Sequence, residues 1–167
     1  MKKRPIRIEG ELAYITLTRG HEAVIDASDV PLVDGCNWCA GFDKGSVYAR
    51  RTDWIGDKSS TVKLHRVIMG NPEGILVDHI DCNSLDNRRK NLRLATCAQN
   101  TQNQRISKSS TSGFKGVSWH KGKGAWTARI MLGRKHHYLG RHATADLAHA
   151  AYCEASARLH SDFGRTS

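Results

Sequence analysis

The chain has no apolar run approaching the about 18 residues needed to cross a bilayer, and its charged start, Met1-Lys2-Lys3-Arg4, leads into no apolar stretch. Neither a membrane span nor a secretory signal is expected. The protein is expected to be soluble and cytoplasmic. No internal repeat is present, which excludes solenoid and array architectures. Cysteines are few and odd in number, five in all, which argues against a complete disulfide framework. Cys36 and Cys39 have the two-residue gap of a zinc half-site, but no second such pair exists, so buried or free thiols are preferred over structural zinc.

Acidic residues are scarce, and unevenly so. The 167 residues carry 26 Lys and Arg against 16 Asp and Glu, a formal charge of +10. Residues 1–104 hold 15 basic and 13 acidic residues, whereas residues 105–167 hold 11 and 3. A compact basic segment joined to a nearly neutral one suggests a polyanion-binding module appended to something else.

What is present reads as two small domains. Leu12–Thr18, Ala23–Ile25, Ser46–Arg51 and Thr61–Ile68 are strand-like, and Ser28 can cap a short helical turn to Val33. Ile75–Ile80 predicts a strand ending in the pair Asp78 and His79. Asp81–Lys90 is too polar for burial and predicts an exposed connecting loop, and Asn91–Ala95 a second strand. Thr96 with Gln99 fits a capping box, which places Asn100 in the first turns of a helix. Ser107–Gly113 is small and polar, a linker. Beyond it, Gly116–His120, Ala125–Leu132 and Lys135–Leu139 predict three strands, with turns at Lys121–Gly124 and at Gly133-Arg134. Thr144 caps a helix to about His160, with Ala148, Ala151, Tyr152, Ala155 and Leu159 on one stripe.

Between Val77 and Asn103 the chain reads VDHIDCNSLDNRRKNLRLATCAQNTQN. An Asp-His pair, an Asn twelve residues after the His (Asn91) and another nine further on (Asn100) suit metal-assisted phosphodiester cleavage. That reaction needs a base to activate water and a divalent cation on the phosphate. Histidine can be that base near neutral pH. A carboxylate and an amide oxygen are hard ligands for Mg²⁺ or Mn²⁺.

The stretch from His65 to Asn103 closely resembles the HNH, or ββα-metal, nucleases, in the subgroup found in phage homing endonucleases. The resemblance is carried by Leu64-His65-Arg66, Ile68-Met69-Gly70, Val77–Asp81, Leu85–Arg89, Asn91-Leu92-Arg93 and Gln99-Asn100. It implies His79 as general base, Asp78 and Asn100 as ligands of one Mg²⁺ or Mn²⁺ ion, and Asn91 as the residue that braces the loop and orients the base. An Asn rather than a His at position 100 argues against tight Zn²⁺ or Ni²⁺ use. His65 either contacts a phosphate or holds the hairpin. Arg88, Arg89, Lys90 and Arg93 form either a solvated face or a grip on the DNA backbone.

Ser112 to Phe163 resembles the Apetala2/ERF-type DNA-binding domain, through Gly113–Val117, Trp126–Ile130, Tyr138-Leu139-Gly140 and the Ala-rich helix. That resemblance implies a sheet laid in the major groove with the helix behind it. Alternation assigns Val117, Trp119, Trp126, Ala128, Ile130 and Leu139 to the helix side. It leaves Lys115, Ser118, His120, Thr127, Arg129, His136 and Tyr138 for DNA. Arg129 suits guanine and Lys115 a phosphate.

The expected fold class is α+β: a strand-rich domain, residues 1–106, holding a ββα-metal motif at about 65–104, then a linker at 107–111, then a three-stranded antiparallel sheet packed on one helix at 112–167. The expected function is a homing-type, site-directed endonuclease acting on double-stranded DNA, phage-encoded or intron-encoded and working in a bacterial host. It would need one divalent ion and no small-molecule cofactor or membrane, and would act as a monomer or homodimer. The alternative is a sequence-specific DNA-binding regulator with an inactive nuclease domain.

Overall fold

The computed structural model describes residues 4–43, 45–107, 109–133 and 135–166. Met1, Lys2 and Lys3 of the charged start, Lys108 of the expected linker and Arg134 of the expected turn lie outside them. The chain divides into two compact units, residues 1–94 and 95–167. Composition put the division at the Ser-rich segment near 107–111. It falls earlier because the Lys115 ammonium donates to the carbonyls of Gln102 and Gln104, at 2.5 and 2.7 Å, tying the preceding helix to the second unit.

In the first unit, β1 (Ile6–Glu9), β2 (Leu12–Thr16) and β3 (Glu22–Asp26) form an antiparallel sheet. A short helix, α1 (Val30–Val33), follows it. Ser28 lies in the 3-10 turn Ala27–Asp29, where no side-chain cap forms. The second sheet is a meander of β4 (Cys39–Asp43), β5 (Ser46–Ile55) and β6 (Lys58–Lys63). The apolar segment Thr61–Ile68, expected as one strand, changes character at Leu64. Residues Leu64–Ile68 form helix α2, with Leu64, His65 and Ile68 buried on one side. That i, i+1, i+4 spacing is helical, which a strand reading does not accommodate. Ala13, Ile15, Leu17, Ala23, Ile25, Val33, Trp38, Ala49, Leu64 and Ile68 form one core.

A two-stranded ladder of β7 (Leu76–His79) and β8 (Leu92–Ala95) closes this unit. The segment between them departs from expectation. Asp86, Asn87 and Asn91 are buried. They can be, because the loop is hydrogen-bonded like a strand: Val24 N–H donates to the Leu85 carbonyl and Asn87 N–H to the Val24 carbonyl, at 2.9 and 2.8 Å. The Ser84 hydroxyl donates to the Val47 carbonyl at 2.7 Å. Satisfied polar groups bury at little cost.

The second unit begins with α3 (Cys97–Asn103), opened by the Thr96–Gln99 capping box. Strands β9 (Val117–His120), β10 (Ala125–Leu132) and β11 (Lys135–His142) form an antiparallel sheet with β10 central. Helix α4 (Ala145–His160) packs Ala148, Tyr152 and Ala155 against Val117, Ala128 and Ile130. The Thr144 hydroxyl accepts from Leu147 N–H at its start. No helix among the described residues is long and apolar enough to cross a membrane.

Gly116 shows how close this packing is. Its φ is +71°, and a Cβ there would stand 2.5 Å from the Arg129 carbonyl oxygen and against the Tyr152 ring. Gly116→Ala is expected to destabilise the second unit by at least about 2 kcal/mol, from strain and overpacking together. Urea unfolding followed by tryptophan fluorescence, to which Trp119 and Trp126 contribute from this unit, measures it.

Candidate active site

The loop between β7 and β8 is organised around Asn91. Its side-chain oxygen accepts from Asp81 N–H at 3.1 Å. Its amide donates to Asp81 Oδ1 and to the Asp86 carbonyl, both at 2.9 Å. The Asn91 carbonyl accepts from Ile80 N–H at 2.9 Å, so the base of the loop is pinned directly beside His79.

His79 ends β7 and is buried. Its Nε2 lies 3.3 Å from Asn87 Oδ1. Asn87 donates its own amide to the Leu85 carbonyl at 3.0 Å, which orients the amide so that its oxygen faces the imidazole. An amide oxygen only accepts, so Nε2 must carry the proton, and in the neutral ring the lone pair is on Nδ1. Tyr48 and His65 complete the surroundings: the His65 ring meets His79 edge-on at 4.9 Å, and the Tyr48 ring is 5.7 and 6.2 Å from the two imidazoles.

Burial lowers the His79 pKa below that of a free histidine, while Asn87 and the carboxylates of Asp78, Asp81 and Asp86 pull it back upward. His65 has no such compensation. Burial, aided by His79, Lys63 and Arg66, pushes it down to about 3. Both shifts favour the neutral ring, the form in which an imidazole can accept a proton.

Asp78 is buried beside His79 and pairs with Arg93 at 2.9 Å. Asn100 is on α3, in the second unit. Among the described residues no three His, Cys, Asp or Glu cluster as a metal site. The Asp78 carboxylate is a hard oxygen donor of the kind that suits Mg²⁺, which keeps most of its waters, and not tightly held zinc. The Cys36–Cys39 half-site is no better suited: the Cys36 thiol faces the Arg51 guanidinium at 2.8 Å, and the Cys39 thiol faces Arg4 at 3.8 Å.

The arginines expected to face DNA have carboxylate partners within the first unit. Arg88 chelates Asp86, with its Nε 2.8 Å from Oδ1. Arg89 grips the buried Asp29 at 2.7–3.0 Å, and its backbone N–H donates to Asp26. Arg93 holds Asp78. His65 is buried against His79 rather than presented at the surface.

In the second unit, Ser118, His120, Arg129, His136 and Tyr138 are exposed on the sheet, with Arg129 opposite Tyr138 and Met131 opposite His136. Two assignments to that outer face need correction. Lys115 turns to the end of α3, and Thr127 is covered, its hydroxyl donating to the Ser118 carbonyl. Trp119, expected on the helix side, is 45% exposed and lies edge-on to Trp126. A cavity of about 670 Å³ is lined by Thr101, Ile106, Phe114, Arg129, Met131 and His136, so α3 and the following segment wall one end of the outer face.

Sequence reasoning gave no role to Asn87 or Tyr48. Asn87 sits in a polar run that reads as solvated, and only its contact with His79 reveals it. Tyr48 carries no signal beyond a place on a strand.

Residues 62–102 match the family model for HNH endonucleases. This segment contains β7, the braced loop, β8 and most of α3. The chain is 41% identical over 71 residues to Protein 3.8 of Escherichia phage T7, covering 42% of this chain and 59% of that protein. It is 37% identical over 115 residues to the uncharacterized HNH endonuclease L560 of Acanthamoeba polyphaga mimivirus, covering 64% of this chain and 55% of that one. A solved structure of the HNH homing endonuclease I-HmuI, described for its DNA binding and cleavage, is similar at 25% identity with a TM-score of 0.36, over 60% of this chain and 59% of that one. The chain spans rather more than half the length of the curated relatives it matches.

Burial of a neutral His65 ties stability to pH. Its folded pKa, about 3, is below the ordinary 6.5, so the unfolded chain takes up the proton first. Its contribution is complete above about pH 6.5 and is lost progressively as pH falls toward 3. His65→Gln is expected to flatten the decline in urea midpoint between pH 7 and pH 4.5 relative to the parent chain.

Proposed function

We propose that the protein is a metal-dependent, site-directed DNA endonuclease of homing type. The observation that carries this reading is a buried His79 whose Nε2 is engaged by Asn87, beside the buried Asp78, within a segment matching HNH endonucleases. His79 Nδ1 takes the proton from the attacking water. Asn91 and Asn87 fix the loop and the ring, so the imidazole needs no reorientation during the reaction.

Asp78 and Asn100 would hold one Mg²⁺ or Mn²⁺ ion. When bound, the ion supplies charge stabilisation at the scissile phosphate and the leaving oxygen. Arg93, paired to Asp78, orients that carboxylate. Arg88 and Arg89 brace the loop and remain close enough to its surface to meet the DNA backbone. His65 acts as packing for the base.

The second unit is the reader, an Apetala2/ERF-type module whose three-stranded sheet, backed by α4, meets duplex DNA through Ser118, His120, Arg129, His136 and Tyr138. Its basic excess supports this. Phosphate contacts near the nuclease site carry little sequence information, so an appended module must supply discrimination. One site per chain nicks one strand, and two cuts require a homodimer or two successive events.

His79→Ala is expected to lose at least about 10²-fold in the rate of relaxing supercoiled plasmid in Mg²⁺ while gel-shift affinity is retained. Nicking at the parent rate by the variant would overturn the assignment of the base.

A further inference from the structure

The two most exposed large apolar side chains among the described residues are adjacent: Trp54 at 69% and Ile55 at 81%. They sit at the tip of the β5–β6 ribbon. Strand β4 pairs only with Ser46–Arg50, so Arg51–Ile55 and their partners run on as a bare two-stranded ribbon. Five residues at about 3.3 Å each give it a reach of about 16 Å. The ladder is unbroken from Arg50–Lys63 to Ile55–Lys58, and Gly56, at φ +59°, makes the two-residue turn. Beyond Arg51, whose guanidinium lies over the buried Trp38 ring, nothing in the core requires this extension, since Ala49 is the last deeply buried residue of β5.

The faces of the ribbon differ. Side chains alternate, so Tyr48, Arg50, Thr52 and Trp54 share a face, with Lys63, Thr61 and Ser59 opposite the last three. On these two strands that face carries two cations, hydroxyls and an indole, and no carboxylate. Lys63 lies over the Tyr48 ring and reaches Asp43 of β4 at 3.4 Å. Asp53 points to the other face, where Arg51 neutralises it at 2.8 Å. Tyr48, on the cationic face, is the ring that covers His65 and His79. One strand thus carries both the wall of the candidate active site and the apolar tip.

We propose that this ribbon is a second DNA contact, lying in a groove of the duplex with Trp54 wedged at a base step about six base pairs from the scissile phosphate. The spacing is that of Tyr48 to Trp54, six residues or about 20 Å, against a rise of about 3.4 Å per base pair. A two-stranded ribbon fits a groove, and an apolar side chain inserted at a step unstacks and kinks DNA. Arg50 and Lys63 meet the phosphates, and Ile55 covers the tip on the other side. The inference rests on the endonuclease reading for its partner, duplex DNA.

The test uses the full chain with Trp54→Ala and Trp54→Phe, in EDTA to prevent cutting, on a 40-base-pair duplex end-labelled for energy transfer. The parent chain is expected to bend the duplex, and DNA is expected to shield part of its tryptophan fluorescence from acrylamide. Trp54→Ala should weaken binding about tenfold and abolish the bend, with an unchanged melting temperature, whereas Trp54→Phe keeps most of both. Equal affinity and equal bending by Trp54→Ala would overturn the wedge while leaving the endonuclease reading intact. So would a fall in self-association of the free protein on Trp54→Ala without any effect on the duplex, which would assign the tip to a second copy. A parent chain with no affinity for duplex DNA would defeat both readings.

Discussion

Asn91 holds the first unit's site together. One amide side chain satisfies the start of the loop at Asp81 and its middle at Asp86, while its backbone pairs with Ile80. Without these bonds the ten-residue polar segment after β7 would have no reason to fold back under the protein. With them, Asn87 is carried inward until its oxygen meets His79. The orientation of the His79 ring on β7 is thus tied to a residue immediately before β8.

Charge organises the surroundings in the same way. The loop is fastened to β3 and the following turn by Arg89 on Asp29 and Asp26, and internally by Arg88 on Asp86. Asp29 and Asp86 are buried, and a buried carboxylate without a partner is costly, so these guanidiniums are structural before they are anything else. A cluster that reads as a basic patch for phosphate is, in the folded chain, a set of internal ties. Arg93 and Asp78 bring the same logic to the candidate metal site.

The legible parts were those written in local pattern. The order strand, loop, strand, helix around Asp78 and His79, the Thr96–Gln99 capping box and the three strands with an Ala-rich helix follow from periodicity and end signals. The illegible parts depended on distant partners. Nothing near Asp86 and Asn87 indicates burial, because the groups that satisfy them include Val24, some sixty residues earlier. Leu64–Ile68 continues an apolar run from β6, and only the core decides that it turns helical. The Lys115 contact with α3 depends on where that helix ends, which composition does not specify.

The first unit holds a buried histidine beside a carboxylate and carries an exposed ribbon, and the second offers a basic sheet backed by a helix. The measurement that tests the account most directly is single-turnover plasmid nicking by Asn91→Ala with Mg²⁺ saturating. A rate lower by about 10- to 100-fold, with DNA affinity retained and the chain still folded at the assay temperature though with a lower melting point, is the predicted result. A rate equal to that of the parent chain would contradict the claim that a clamped loop orients the base.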